Sequence, residues 1–227
     1  MLVSVPLVAD ESGRMAVTID DLPTVNLASD DAASSRRATL DLLADAADRR
    51  IPLIGFVTES QLCPGGELDL ERVDLLRLWL AAGFDLGNHS YSHPFLHRVS
   101  LAEFQADVLR GDIVITELLA ALGREPRCFR HPYLHTGTDI GTRREMDEFL
   151  ASIRYGVAPV TIDNSEWIFA RAFVLALRSG DTVLADLRNG GAEHSCRANE
   201  STIGPSEFRR QTERVMPPST RRFWPVM

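Results

Sequence analysis

The stretch IPLIGFVT, residues 51–58, is a continuous apolar run with β-branched and aromatic members. A short run of this kind predicts a strand that is buried on both faces. The preceding segment, residues 36–50, has apolar residues at helical spacing, and the leucine-rich segment 70–82 predicts a second helix that Gly83 ends. A buried strand between two amphipathic helices is the pattern of a β/α unit.

The same alternation of strand and helix continues along the chain. Further strands are predicted at 15–19, 84–90, 127–133 and 154–163, and further helices at 101–122, 145–152 and 165–178. Ser100 and Gly123 stand where the N-cap and C-cap of the long helix 101–122 are expected. Five alternations predict an α/β fold with parallel strands, arranged as a barrel or as an open sheet.

Composition bounds the class of protein. A chain of 227 residues, of which 44% are hydrophobic, can form one large domain with a substantial core. The net charge of −8 argues against nucleic acid as a partner. Cys63, Cys128 and Cys196 lack CxxC spacing and are interpreted as free packing residues. No segment approaches the roughly 20 apolar residues of a transmembrane span.

Polar clusters follow four of the predicted strands. They are Asp20-Asp21, His89 with His93, Arg130-His131, and Asp163 with Glu166. Because the carboxyl ends of parallel strands share one edge of a sheet or barrel, we expect these clusters to lie near one another. Chemistry in α/β folds is found at that edge.

His89 and His93 supply two of the three protein ligands that a catalytic zinc ion typically takes. A pair of histidines four residues apart is weak evidence by itself, but Asp20 and Asp21 offer a carboxylate from another strand end. Adjacent carboxylates repel one another unless a cation or an arginine compensates. One of them could bind a metal while the other acts as a base. The alternative is that TIDDLP forms a turn with an aspartate N-cap, stiffened by Pro23.

Four motifs together carry a resemblance to a known family. TIDDLP (18–23), NHSYSHP (88–94), FRHPYL (129–134) and DNSEW (163–167) resemble, in this order, motifs of the polysaccharide deacetylases, carbohydrate esterase family 4. The patterns of that family are close to TFDDGP, H[ST]xxHP, RxPY and DxxDW. The match covers residues 15–180.

The resemblance implies a distorted (β/α) barrel of parallel strands that has fewer than the usual eight strands. It also implies hydrolysis of an acetamide or acetyl ester on a carbohydrate such as a chitin oligomer, peptidoglycan or acetylated xylan. Asp21, His89 and His93 would bind a divalent metal, Zn²⁺ or a similar ion such as Co²⁺. Asp20 would be the general base, and Arg130 would hold that carboxylate and keep it ionised.

The remaining implied roles concern the substrate side of the site. The backbone N–H of Tyr133 would stabilise the oxyanion, and Tyr133 and Trp167 would contact the sugar. Glu166 would orient a catalytic acid histidine. The resemblance also implies an extracellular or periplasmic location, although residues 1–14, a leader or remnant signal segment, lack a basic n-region.

Three departures from the family pattern bear on activity. Leu22 replaces a glycine, which is expected to change the loop beside the metal and the groove, and Glu166 replaces an aspartate. The fifth motif, Leu-x-His, is missing, and His194 is the only histidine after Trp167. The predicted catalytic domain, residues 15–185, is therefore interpreted as incomplete at its C-terminus. The tail 186–227 is poor in apolar residues and predicted to be poorly packed or disordered, through truncation or a frameshift. The alternative function is an impaired deacetylase-like protein that binds metal or sugar.

Overall fold

The computed structural model describes residues 16–23 and 32–163, with single positions at 175 and 179. Its five strands are β1 (Val17–Leu22), β2 (Leu53–Val57), β3 (Asp85–Asn88), β4 (Cys128–Phe129) and β5 (Gly156–Val157). Each strand pairs in parallel with the next one in the chain, so the order in the sheet is β1-β2-β3-β4-β5. This sequential order is that of a (β/α) barrel wall, and the predicted parallel α/β fold is confirmed.

The described helices alternate with these strands. They are α1 (Ala32–Asp48), α2 (Leu70–Ala81), α3 (Leu101–Arg110), α4 (Ile113–Ala120) and α5 (Ile140–Ser152), with short 3-10 helices at Glu59–Leu62 and Pro132–Leu134. Among the residues described, no helix has the length and apolar character needed to cross a bilayer. The predicted helix 165–178 and the segments 1–14 and 186–227 fall outside the description, apart from position 175.

The prediction of one continuous helix over 101–122 is wrong. The helix is interrupted at Gly111 and Asp112, and the segment forms two helices, α3 and α4. Gly111 lies directly against the backbone of Ser90, where an added Cβ would overlap main-chain atoms. This tertiary contact outweighs the helical periodicity. Ser100 is confirmed as the N-cap of α3, where it forms a capping box with Glu103.

The last two strands are shorter than the predicted ranges 127–133 and 154–163. After Phe129 the chain turns, because Pro132 has no N–H for a ladder and Tyr133 and Leu134 have left-handed φ values of 55° and 57°. These turns place polar residues at the carboxyl edge of the sheet.

The core lies on both faces of β2, whose five residues are all buried as predicted. Leu53 and Val57 pack in a cluster with Trp79 of α2, whereas Ile54 and Phe56 pack in another with Ala158. Side chains alternate between the two faces of a strand, so β2 separates an outer core under the helices from an inner one. The inner face of β2 contacts the polar edge of the sheet, because the Phe56 ring centroid lies 4.7 Å from the Arg130 guanidinium.

Candidate metal centre

A β-bulge in β1 brings the two adjacent aspartates to one side. Ile19 pairs with Gly55 but Leu22 pairs with Val57, so β1 contains one residue more than β2 over this interval. Asp21 has a left-handed φ of 61° in the bulge. Asp20 Oδ2 and Asp21 Oδ1 consequently lie 4.0 and 3.8 Å from Nε2 of His89. In a regular strand two successive side chains would point to opposite faces.

The three predicted metal ligands converge at this edge. Asp21 Oδ1 lies 3.5 Å from Nε2 of His93 and 3.8 Å from Nε2 of His89. One ligand atom from each of the three residues lies within 4.8 Å of the other two. A tetrahedral ion with bonds of about 2.0–2.2 Å holds its ligand atoms about 3.3–3.6 Å apart. Two imidazole nitrogens and one carboxylate oxygen therefore fit a divalent cation with small side-chain adjustments.

The His89 imidazole is oriented by a backbone group. Its Nδ1 lies 2.8 Å from the Arg130 carbonyl oxygen, and an N–H donated there leaves the lone pair of Nε2 directed at the carboxylates. Burial lowers the pKa of both His89 and His93, which favours the neutral imidazole that binds metals. This pairing of a ligand histidine with a backbone carbonyl is typical of metal sites.

Polar side chains within NHSYSHP fold the loop between the two histidines. Asn88 donates from Nδ2 to the Val108 carbonyl at 3.0 Å and accepts from the Ser90 N–H at 2.6 Å. The Ser90 hydroxyl in turn accepts from the His93 N–H at 3.1 Å. Ser90 and His93 have φ values of 67° and 57°. The loop thus turns His93 back towards Asp21.

Asp20 is held by Arg130, as the resemblance implied. Arg130 is 3% exposed, and its Nη1 and Nη2 lie 3.4 Å from Asp20 Oδ2 and 3.1 Å from the Thr18 hydroxyl. The other oxygen, Asp20 Oδ1, is buried without a hydrogen-bond partner in the described part of the chain. Burial raises the pKa of Asp20 and outweighs the opposing charge of Arg130. A carboxylate with a raised pKa that lies beside a ligand histidine suits a general base.

The turn at Tyr133 presents a backbone donor in a residue whose ring contacts His93. Tyr133 has a φ of 55°, and no described residue accepts a hydrogen bond from its backbone N–H. Its ring stacks on Phe95 with centroids 3.7 Å apart and meets His93 edge-on at 4.4 Å. The predicted oxyanion donor is therefore unpaired within the described residues, and the ring of the same residue contacts His93.

Leu22 corrects one expectation. Its side chain is 4% exposed and belongs to the hydrophobic core rather than to the groove. A Cβ added at Gly55 would overlap the Leu22 side chain. The glycine in β2 therefore makes room for the leucine that replaces the family's glycine in TIDDLP.

The other histidines and motif residues are placed as follows. His131 is buried between Phe104 and Phe129, and burial lowers its pKa to about 4, so it is a neutral core residue. His97 and His135 stack on one another at 3.9 Å. Asp163 is exposed, and its charge contributes to the raised pKa of Asp20. Glu166, Trp167 and His194 lie outside the described residues.

One neighbour of the site has no counterpart in the sequence prediction. The buried Thr58, directly after β2, donates its hydroxyl to Asp21 Oδ1 at 3.0 Å. Its position at the carboxyl end of a predicted strand was the available signal. Thr58 holds the carboxylate in the orientation that faces His89 and His93.

A family model described as polysaccharide deacetylase matches residues 8–147. The chain belongs to the polysaccharide deacetylase family. It is 28% identical over 169 residues to the chitooligosaccharide deacetylase of Bradyrhizobium sp. (strain ANU 289), covering 70% of this chain and 68% of that protein. The identification made from four sequence motifs is thereby confirmed.

Solved structures show the same fold. The family 4 carbohydrate esterase from Streptomyces lividans, in complex with acetate, matches with a TM-score of 0.51 and 21% identity, covering 73% of this chain and 72% of that one. A mutant of a carbohydrate esterase family 4 pseudoenzyme from Bacillus anthracis, with restored enzymatic activity, matches with a TM-score of 0.51 and 20% identity. That match covers 72% of this chain and 50% of the other, so the chain spans about half its length. At these identities the likeness concerns the fold.

Proposed function

We propose that this protein is a divalent-metal-dependent deacetylase that hydrolyses acetyl groups on N-acetylated or O-acetylated carbohydrate. The observation that carries the proposal is the convergence of Asp21, His89 and His93 beside a second carboxylate, Asp20, that Arg130 holds. Zn²⁺ is the cation we expect, and Co²⁺ suits the same nitrogen and oxygen ligands. Membership of the polysaccharide deacetylase family supports the carbohydrate substrate.

In this proposal Asp21, His89 and His93 would hold the cation, which would supply Lewis-acid polarisation of the acetyl carbonyl and a more acidic water. Asp20, the carboxylate beside His89, takes the proton from the attacking water. The Tyr133 N–H donates to the carbonyl oxygen as negative charge develops there. Arg130 fixes the direction of the base by occupying Asp20 Oδ2.

The leaving group distinguishes two candidate functions. Hydrolysis of an amide requires a proton on the departing nitrogen, whereas an acetyl ester has a better leaving group. The chain lacks a Leu-x-His motif after Trp167. This absence favours a second candidate, a protein that binds metal and sugar but deacetylates amides poorly.

Chitooligosaccharides are the first substrate to test, because the curated relative is a chitooligosaccharide deacetylase. Acetate release would be measured with Zn²⁺ present on N-acetylchitooligosaccharides and on acetylated xylan, with peptidoglycan as a third substrate. Release from both chitin oligomers and xylan supports a competent enzyme. Release from the ester alone supports an enzyme impaired in protonating the amine.

Two substitutions separate the base from the metal site. Asp20→Asn is expected to lower the rate about 10²–10⁴-fold while Zn²⁺ still binds, because the base is lost and the ligands remain. His93→Ala is expected to abolish tight Zn²⁺ binding. Asp85→Asn, at the opposite end of β3, is the matched control. Unchanged turnover in Asp20→Asn would remove it as the base, and a wild-type protein that binds no Zn²⁺ would remove the metal site.

A further inference from the structure

Helix α3 holds the histidine loop through one carboxylate. Asp107 Oδ2 accepts hydrogen bonds from the N–H groups of Tyr91 and Ser92, at 3.0 and 2.9 Å. Its Oδ1 accepts from the Ser92 hydroxyl at 2.8 Å. All three donors lie between His89 and His93, so a single side chain from another element fixes the middle of this segment.

The same end of α3 contacts the loop in three further ways. The Tyr91 N–H also lies 3.1 Å from the Asp107 carbonyl oxygen. The Arg110 guanidinium lies 3.4 Å from the centroid of the Tyr91 ring, in a cation–π arrangement. Gly111 packs on the backbone of Ser90 and Tyr91 without room for a Cβ. The helix end and the loop are therefore packed backbone against backbone.

The loop needs this support because its conformation is locally unfavourable. Ser90 and His93 both have left-handed φ values, which are unfavourable for residues other than glycine. Conformations of this kind persist when the surroundings hold them. His89 has a second anchor, the Arg130 carbonyl, whereas the His93 N–H is bonded to the Ser90 hydroxyl inside the same loop. A displacement of the loop is therefore expected to move His93 more than His89.

We propose that Asp107 is a positioning residue for the metal centre. By fixing Tyr91 and Ser92, it sets the distance of the His93 imidazole from His89 and from the carboxylate of the first strand. The inference rests on the proposed function only in that the triad binds a divalent cation. Asp107 acts through the ligand loop; loss of a group that orients a ligand directly typically lowers metal affinity 10–100-fold, and we expect an effect of this order here.

Three substitutions at Asp107 separate geometry from charge. Asp107→Ala removes both acceptor oxygens, and with them all three hydrogen bonds, and is expected to weaken Zn²⁺ binding about 10–100-fold. Asp107→Asn is expected to bind Zn²⁺ like the wild type, because its carbonyl oxygen can accept both N–H groups and its amide can donate to the Ser92 hydroxyl. Asp107→Glu keeps the negative charge, and glutamate is a good helix former, so this variant is expected to fold. Its carboxylate is displaced by one methylene, so Zn²⁺ binding is expected to weaken.

Glu103→Ala is the matched control for simple destabilisation. Glu103 lies on the same helix and completes the capping box with Ser100, so its loss weakens α3 without removing a bond to the histidine loop. Its affinity for Zn²⁺ is expected to equal that of the wild type. A role of Asp107 limited to stability would instead leave Zn²⁺ affinity unchanged in every folded variant.

The measurement is the Zn²⁺ dissociation constant, obtained by competition with a chromophoric chelator, on proteins shown by circular dichroism to be folded. The visible absorption of bound Co²⁺ gives a second readout of ligand geometry, which is expected to change in Asp107→Ala and Asp107→Glu only. Wild-type Zn²⁺ affinity in both Asp107→Ala and Asp107→Glu overturns the positioning role. A loss of Zn²⁺ affinity in Glu103→Ala equal to that in Asp107→Ala overturns it as well. A wild-type protein that binds neither ion overturns the proposed metal site itself, and with it this role.

Discussion

Glu59 gives the sharpest prediction about stability. It follows β2, is 3% exposed, and its Oε1 accepts from the N–H groups of Val114 and Ile115 at 2.8 and 3.0 Å. It therefore caps the N-terminus of α4 from a distant segment, where Asp112 makes no side-chain cap bond. Burial raises the pKa of Glu59 to about 7, and the charge of Asp112 adds to the rise, while the backbone hydrogen bonds oppose it.

This raised pKa makes the stability depend on pH with a definite sign. In the unfolded chain the carboxyl group titrates near 4.5, and in the folded protein near 7. Between these values the folded state binds more protons, so the free energy of unfolding falls as pH rises. The contribution is fully present below 4.5 and is lost as pH rises through 7. At 1.36 kcal/mol per pKa unit the whole interval corresponds to about 3 kcal/mol.

The assay compares urea unfolding of the wild type and Glu59→Gln between pH 4.5 and 8, in the presence of a metal chelator. Glutamine keeps an acceptor for α4 but does not titrate. We expect the wild type to lose about 3 kcal/mol more than the variant over this range. Half-buried Asp112, which is hydrogen-bonded to Tyr155, and buried His131 titrate in both proteins, so the difference reports Glu59 together with its charge interaction with Asp112. Glu125→Gln, at an exposed position, is the control. Parallel curves for wild type and Glu59→Gln would refute the reasoning.

Two further predictions concern the packing and orientation of the first strand. Gly55→Ala is expected to destabilise the protein because the new Cβ overlaps Leu22, and Leu22→Ala is expected to cost about 2–5 kcal/mol. The double variant should lose less than the sum, and strict additivity in thermal unfolding would contradict the contact. Thr58→Val removes the hydroxyl bonded to Asp21 and is expected to weaken Zn²⁺ binding about 10-fold. Calorimetry that gives wild-type affinity would show that this hydrogen bond does not tune the site.

Local apolar patterns were sufficient to predict the elements but not their irregularities. The run 51–58 predicted the buried β2 because burial on both faces leaves a continuous apolar signal. The bulge at Asp20 and Asp21 depends on the register of β1 against β2, which has no signature in one strand alone. The interruption of the helix at Gly111 depends on contact with Ser90, which is distant in the sequence. The helical periodicity of the sequence therefore continues through Gly111 and does not show the interruption.

Some residues of the site could likewise be predicted from the sequence, and others could not. The residues predicted as ligands, base and arginine stand in short motifs, and the structure brings them together at one edge. Thr58 and Asp107 stand in no motif, and their hydrogen bonds span 37 residues to Asp21 and 15 residues to Ser92. Supporting residues of this kind are ordinary polar residues in sequence. Only the three-dimensional arrangement distinguishes them from solvated ones.

Arg130 serves two partners through two different parts of one residue. Its carbonyl oxygen accepts from the His89 ring, while its guanidinium contacts Asp20. Any residue at this position supplies the main-chain carbonyl, but only a cationic side chain supplies the contact to Asp20. Substitution of Arg130 can therefore remove the contact to Asp20 while the hydrogen bond to His89 remains. Under the proposed function, a lineage could lose hydrolysis in one step and still retain an ion-binding domain on which selection for another use can act.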